Sequence, residues 1–486
     1  MIEFRDVTFF YGEETAPSVD GVSLKIDKGE TVVLCGESGC GKSTMTRLIN
    51  GLIPHFHEGK LEGEVLYDGK RTTDMRLYEL SEHVGSVFQD PRTQFYNVES
   101  TVELAFGCEN LGVPPEEIEQ RITRTAKRFG LEELLDRNLF AMSGGEKQRI
   151  ACGSVDATNP ETLVLDEPSS NLDLFAIHDL AQVVQRWRDD GKTLVIAEHR
   201  IFYLIDLADR FIYIRDGRIE REFRPDELRT LSPEALEDLG LRAPDPWKLA
   251  PRAEARGSGE SLSLRSLKCI TRGRRRLSIP ELTLPRGEII AVIGRNGAGK
   301  TTLARTLCGL EKTGSGVLGI DGATHDIRKR RDLVYMVMQD VNHQLFTEDV
   351  ISELLLSMDG TDPDAEQKRA MEILRSLDLD DKSGRHPMSL SGGEQQRVAI
   401  GSAIAAGREI LILDEPTSGL DYKRMTQVAD YLTAMSADGK TVLVITHDIE
   451  LVLRCCSHAI YLVDGEVAQK SRMDETGAQQ LREFFE

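Results

Sequence analysis

Short apolar runs and longer mixed stretches alternate along this chain. Thr31–Cys35 (TVVLC) and Glu288–Ile293 (EIIAVI) are apolar at most positions, and each leads into a glycine-rich loop and then a helical pattern. Thr162–Leu165 and Glu409–Leu413 repeat the design and end in an Asp-Glu pair. Runs of this length bounded by turn residues read as buried strands. Their alternation with helical segments predicts an α/β fold, a largely parallel sheet covered by helices. No apolar run approaches the roughly 20 residues of a membrane-spanning helix. The N-terminal MIEFRDVTFF lacks a signal-peptide pattern. The expectation is a cytoplasmic protein that serves any membrane from outside the bilayer.

The pattern occurs twice. GESGCGKST at Gly36–Thr44 recurs as GRNGAGKTT at Gly294–Thr302, and MSGGEKQR at 142–149 recurs as LSGGEQQR at 390–397. LVLDEPSSNLD at 163–173 recurs as LILDEPTSGLD at 411–421. Lys42 and Lys300 stand 258 positions apart, Gln89 and Gln339 stand 250 apart, and Ser143/Ser391, Asp166/Asp414 and His199/His447 each stand 248 apart. The first copy carries its extra residues before Gln89, where GLIPHFHEGKLEGEV faces the shorter GLEKTGSGV. A chain of 486 residues suits two such domains. They are expected at 1–225 and 261–486, with a Pro-, Gly- and Glu-rich connector over 226–260 holding one short helix.

Composition narrows the function. The formal net charge of -21 disfavours broad binding to nucleic acid or to an anionic membrane face. The eight cysteines form no CxxC pair, which argues against zinc or an iron–sulfur cluster and fits a reducing compartment.

The repeated motifs carry phosphate chemistry. In GxxxxGK[ST], Gly36, Gly39 and Gly41, and again Gly294, Gly297 and Gly299, let a loop curl its amides toward phosphates at a helix N-terminus. Lys42 and Lys300 are placed to reach β- and γ-phosphate oxygens. Ser43 and Thr301, followed by Thr44 and Thr302, can offer a hydroxyl to Mg²⁺. Asp166 and Asp414 end apolar strands at the sheet edge where ligands of parallel sheets sit, and either holds Mg²⁺ or marks an ordinary turn. Glu167 and Glu415 come next, placed to polarise water. Ser143-Gly144-Gly145-Glu146 and Ser391-Gly392-Gly393-Glu394 read as a second anion cradle or as a plain helix cap.

The ordered set of P-loop, glutamine loop, SGG signature, Asp-Glu strand, D-loop and histidine loop, present twice, resembles an ATP-binding-cassette (ABC) ATPase. The resemblance implies two cassettes in tandem, each with a mostly parallel sheet core, an antiparallel β subdomain and a helical signature subdomain. It implies that Gln89 and Gln339 sense Mg²⁺ and water, and that 170–173 and 418–421 are D-loops. His199 and His447, each 33 residues after the motif aspartate, would contact the γ-phosphate. It implies intramolecular pairing of the cassettes. One ATP site would join Lys42, Ser43, Asp166, Glu167 and His199 to Ser391, Gly393 and Glu394. The other would join Lys300, Thr301, Asp414, Glu415 and His447 to Ser143, Gly145 and Glu146. Tyr11 matches the aromatic that stacks on adenine. The second copy has CITRGRRRLS there, without an aromatic, and reads either as Arg272 or Arg274 stacking in its place or as a solvated hairpin. Met142 replaces the usual signature leucine.

GLIPHFHEG, QDPRTQFYNVES, AEHR and MQDVNHQLFTEDV are further similar to the ATPases of energy-coupling-factor (ECF) importers of vitamins and metal ions. That resemblance implies a transmembrane coupling subunit and a small substrate-capture membrane subunit as partners, no nucleic acid, and a peripheral location on the inner face of the cell membrane. The segments 94–97 and 344–347, with Phe95, Leu345 and Phe346, would lie by the groove that receives the coupling subunit. His55 and His57 read as loop packing rather than a metal site, and Cys40 as a small loop residue. Two other classes compete: a tandem ABC protein of translation and the ATPase of a sugar importer. The first usually carries a long charged helical connector, and 226–260, with eight acids, five bases and several prolines, suits it poorly. The second would not be expected to carry QDPRTQF and QDVNHQLF.

Overall fold

The computed structural model describes residues 1–12, 14–253, 261–271, 273–320, 322–358, 360 and 362–485, the side chains of 327–329 excepted. Arg272 and the end of the expected connector, 254–260, lie outside the described residues. The chain divides into two compact units. One is Met1–Pro246 with Gly419–Lys423, and the other is Trp247–Ser418 with Arg424–Glu486.

The first unit has strands β1 (Ile2–Tyr11), β2 (Val19–Ile26), β3 (Thr31–Cys35), β4 (Gly59–Tyr67), β5 (Lys70–Arg71), β6 (Val84–Val87), β7 (Thr162–Asp166), β8 (Thr193–Ala197), β9 (Arg210–Arg215) and β10 (Arg218–Phe223). An antiparallel sheet runs β2-β1-β4-β5, and a six-stranded sheet runs β10-β9-β3-β8-β7-β6. The latter is parallel except for the β9–β10 hairpin. The second unit repeats this with β11 (Ser261–Thr271), β12 (Arg274–Pro285), β13 (Ile289–Ile293), β14 (Gly314–Ile320), β15 (Ala323–His325), β16 (Val334–Val337), β17 (Ile410–Asp414), β18 (Thr441–Ile445), β19 (His458–Val463) and β20 (Glu466–Arg472). Its sheets run β12-β11-β14-β15 and β16-β17-β18-β13-β19-β20.

The unbroken apolar runs have a simple cause. Successive side chains of a strand point to opposite faces, and here both faces are covered. Val33 and Cys35 of β3 pack with Ile177, Leu180 and Trp187 of the helix Leu174–Asp189. Val32 and Leu34 pack on the other side with Phe4, Val22 and Ile26 of the antiparallel sheet. β7 and β8 divide the same way, so these strands have no water-facing position to fill with a polar residue.

The stretch after β10 folds onto the first unit. Helices Pro225–Arg229 and Pro233–Leu239 occupy it, the second capped by Ser232 Oγ, which accepts from Ala235 N at 3.2 Å, and ended by Gly240. Leu228, Leu236 and Leu241 join the core beneath the parallel sheet. Their periodicity is easily hidden among the prolines and acids of the segment.

Trp187 is 1% exposed and ties three helices together. Its ring meets Phe129 edge-on at 5.8 Å, and its Nε1 donates to Asp156 Oδ1 at 2.9 Å. Asp156 Oδ2 accepts from Thr125 Oγ1 at 2.8 Å. Trp187→Ala removes the ring and the bond together. It should destabilise the first unit by about 3–5 kcal/mol, read as a lower urea midpoint with an unchanged slope. An unchanged midpoint would show that the three helices are held some other way.

Candidate active site

β3 and β13 each lead into a glycine loop and then a helix, Lys42–Ile49 and Lys300–Leu307. The residue before each helix must be glycine. Gly41 has φ 107°, and a Cβ there would lie 2.4 Å from the Ser18 carbonyl oxygen. Gly299 has φ 102°, with the Arg276 carbonyl oxygen at 2.9 Å. Gly36, Gly39, Gly294 and Gly297 complete the two loops. Each loop wraps its lysine. Lys42 Nζ donates to the carbonyls of Gly36 (3.0 Å) and Glu37 (2.9 Å), and Lys300 Nζ to those of Gly294 (2.7 Å) and Arg295 (3.2 Å). Both lysines are buried. A buried cation at a helix N-terminus is an anion site by electrostatics alone. Thr44 is buried in the first turn, and Thr302 is half-buried.

The next residues join the loop to the sheet edge. Ser43 Oγ donates to Asp166 Oδ1 at 2.8 Å, and Thr301 Oγ1 to Asp414 Oδ2 at 2.9 Å. Burial pushes both carboxyls above the ordinary aspartate value, and these hydroxyl bonds partly oppose it. Among the described residues no cluster of three or more His, Cys, Asp and Glu suits a metal. Each pair instead offers one carboxylate and one hydroxyl oxygen, a hard donor set that fits Mg²⁺ completing its shell with phosphate and water.

Glu167 and Glu415 stand in the left-handed region, with φ 44° and 50°. Their amides are pinned by the carbonyls of Ala197 and Ile445, both at 2.8 Å. Non-glycine residues hold such a conformation only where surrounding structure enforces it, and such residues cluster at active sites. Glu167 lies 3.1 Å from His199 Nε2 and accepts from Gln89 Nε2 at 2.9 Å. Burial works to raise this carboxyl, but His199 and Lys42 outweigh it and lower it, keeping it ionised at neutral pH. Glu415 lies 3.4 Å from His447 Nε2. Gln339 is exposed.

Ser143 and Ser391 are the N-caps of helices Gly144–Thr158 and Gly392–Ala405, closed by capping boxes with Glu146 and Glu394. Gly145 and Gly393 lie in the first turns. Burial tends to raise Glu394, yet Lys382 and Ser391 bring it down to about 2. Met142 and Leu390 are both buried beside their caps, so the exchange is one of shape within a packed position.

Tyr11 is half-buried at the end of β1. Its hydroxyl lies 3.3 Å from Thr44 Oγ1 and accepts from Arg47 Nη1 at 2.9 Å. In the second unit Thr271 pairs with Arg274 at the matching hairpin. His55 Nε2 lies 3.0 Å from the Met75 carbonyl, and His57 meets the Tyr11 ring edge-on, so the two histidines pack a loop. Cys40 is buried 3.7 Å from Lys42 Nζ, and burial raises its thiol, which suppresses reactivity.

Two expectations about the docking segments are corrected. Phe95 packs against the core and Leu345 is 3% exposed, whereas Tyr96 and Phe346 are 78% and 72% exposed. The cause is a fixed loop. Gln94 Oε1 accepts from Phe88 N and its Nε2 donates to the Ala151 carbonyl at 3.2 Å. The buried Glu103 accepts from the amides of Tyr96 and Asn97 at 3.1 and 2.9 Å. Gln344 and Glu353 hold the second loop alike. Glu198 is a further residue of the site that none of the motifs singles out. This buried carboxylate accepts from the amides of His199 (2.8 Å), Arg200 (3.2 Å) and Ser169 (3.3 Å), and its signal was a charge beside the histidine at the end of an apolar strand.

A glycine loop wrapped on a lysine, a hydroxyl–aspartate pair and a histidine-bound glutamate, present twice, define a P-loop ATPase with two nucleotide sites. The family model of the ABC transporter matches residues 19–170 and 277–418. The chain is 41% identical to a putative ABC transporter ATP-binding protein of Treponema denticola over 478 residues, 97% of each chain. It is 33% identical to a protein of the same description from Methanosarcina mazei over 519 residues, covering 96% of this chain and 88% of that one. It shares its fold with a structure described as a model of ribosome-bound archaeal Pelota and ABCE1, with a TM-score of 0.70 and 22% identity over 99% of this chain and 80% of that chain. The chain belongs to the ABC transporter family and is an ATPase with two ATP-binding cassettes in tandem.

Gly41→Ala tests the loop. Alanine meets a positive φ that costs it roughly 1–2 kcal/mol and a backbone oxygen that cannot step aside. In a Lys300→Ala background, ATP binding should fall by about 10-fold or more, measured with a fluorescent nucleotide. Unchanged binding would mean that the loop relaxes freely.

Proposed function

We propose that this chain is the energy-coupling ATPase of an ECF-type importer, taking a micronutrient such as a vitamin or metal ion into the cell through separate membrane subunits. The cassettes are 1–225 and 261–486, joined by 226–260. In each, the P-loop lysine binds the β- and γ-phosphates, and Glu167 or Glu415, oriented by His199 or His447, positions the attacking water. Gln89 and Gln339 sense that water. Mg²⁺, held by Ser43 and Asp166 or by Thr301 and Asp414, supplies neutralisation of phosphate charge. Tyr11 stacks on the adenine of the first site. The signature helices, begun by Ser143 and Ser391, serve ATP across a pairing of the two cassettes.

The observation that carries the importer reading is a cavity of about 570 Å³ in the first unit. Gln89 and Asp166 line it, together with Phe56, Leu77 and Tyr96. These three are exposed apolar or aromatic side chains, at 76%, 41% and 78%. A groove with apolar anchors suits an amphipathic partner helix, and this one shares Gln89 and Asp166 with the candidate nucleotide site. Among the described residues no helix is long and apolar enough to cross a membrane, so the partner supplies the path. The place of action is the inner face of the cell membrane. The fold shared with the ABCE1 structure favours a translation role only as far as tandem cassettes do, and the folded, acid-rich segment after β10 suits it poorly.

Glu167→Gln with Glu415→Gln keeps shape and removes the base. Turnover should fall by ~10²-fold or more while nucleotide is retained, and wild-type turnover would end the assignment. Phe56→Glu with Tyr96→Glu should abolish co-sedimentation with membranes holding the coupling subunit and leave ATPase of the isolated chain near normal. Normal membrane binding by that variant would remove the groove from the account. Wild-type chain sedimenting with ribosomes instead would transfer the protein to translation.

A further inference from the structure

Two leucine carbonyls, 248 residues apart in the repeat, each accept from a buried arginine. Arg200 Nη1 donates to the Leu172 carbonyl at 3.4 Å, and Arg242 Nη2 to the Leu420 carbonyl at 3.2 Å. Arg200 is 8% exposed and Arg242 only 2%. The acceptors are equivalent positions in SSNLD and TSGLD, but the donors are not equivalent. Arg200 directly follows His199. The residue after His447 is Asp448, whose carboxylate accepts from Thr417 Oγ1 at 2.8 Å and from Leu451 N at 3.3 Å. An ionised carboxylate cannot donate to a carbonyl. The second loop takes its arginine from the segment after β10, which composition alone marks as a connector.

That segment holds the arginine firmly. Leu241 is in the core, and Tyr213 Oη and Arg215 Nη2 donate to the carbonyls of Leu239 (2.8 Å) and Asp238 (3.0 Å). A Cβ on Gly240 would lie 2.9 Å from the Glu37 side chain, so the segment also touches the P-loop. Removing a guanidinium from water is costly. The Nη2 bond to Leu420 offsets part of that cost.

The bond leads to the reacting groups. Asp421, next to Leu420, accepts from Ser38 N at 2.8 Å. Ser38 Oγ lies 3.5 Å from His199 Nε2, and His199 lies 3.1 Å from Glu167. Asp421 also acts on the Glu167 carboxyl, tending to raise it. We infer that Arg242 is a positioning residue for ATP hydrolysis at the Lys42 site, fixing the loop Gly419–Lys423 so that Asp421 holds the P-loop at Ser38.

The inference rests on Glu167 and Glu415 as the water-orienting groups. The experiment places Arg242→Ala in the Glu415→Gln chain, where turnover reports the Glu167 site, and in the Glu167→Gln chain, where it reports the other. Loss of positioning should lower kcat about 10-fold or more in the first background, with KM for ATP changed far less and little effect in the second. Arg242→Lys, which keeps the charge and one donor, should recover part of the loss. Arg242→Ala added to Asp421→Asn should cost little beyond the worse single variant, because both act through one loop. Equal losses in the two backgrounds, or none, overturn the inference. If Arg242→Ala does not fold, Arg242→Lys alone decides, by whether its loss is confined to the Glu167 site. Failure of the glutamate roles is distinguishable, since the Glu→Gln chains with native Arg242 would then hydrolyse ATP normally in both sites.

Discussion

Parallel register is the constraint on which the rest depends. Leu34 of β3 pairs with Ala197 of β8, and Ala197 pairs with Asp166 of β7. Three strands that are distant in sequence therefore end together. The segments leaving their ends converge: the glycine loop, the Asp-Glu pair and the histidine. The second unit keeps the register, with Val292 against Ile445 and Ile445 against Asp414. Close packing on both faces fixes that register, because a slip of one residue would exchange side chains between two differently shaped layers, the helix side and the antiparallel-sheet side. The chemistry is downstream of packing whose strand middles are apolar.

Most of this was legible in the sequence because backbone geometry forced the residue types. Only glycine fits at 41 and 299, and only apolar residues fit the middles of β3, β7 and β8, so motif and strand announce each other. The features that stayed hidden depend on tertiary neighbours. Phe95 and Tyr96 are adjacent aromatics, and nothing local says which one faces the core. That is decided by Glu103, which accepts from the amides of Tyr96 and Asn97 out of a helix. Leu228, Leu236 and Leu241 were masked by the prolines around them, and Arg242 by its setting in a segment that composition reads as a tether.

The repeats agree wherever phosphate is handled and diverge around it. Both keep a lysine on loop carbonyls, a hydroxyl–aspartate bond and a left-handed glutamate. Around these, Tyr11 has no aromatic counterpart, Glu198-His199-Arg200 becomes Thr446-His447-Asp448, and the 52–58 loop lines a groove beside the first P-loop helix. Duplicate machinery with unlike surroundings is free to take up unlike duties.

The bracing of the glutamine loop has a mechanical meaning. Gln94 bonds the loop to Ala151, in the middle of the helix that Ser143 begins, and Glu103 pins the two amides beyond it. A segment with its amides spoken for by helices cannot drift alone. Tyr96 is thereby tied to the helix that Ser143 begins, like the tip of a crank to its shaft, so a displacement of either would be handed to the other.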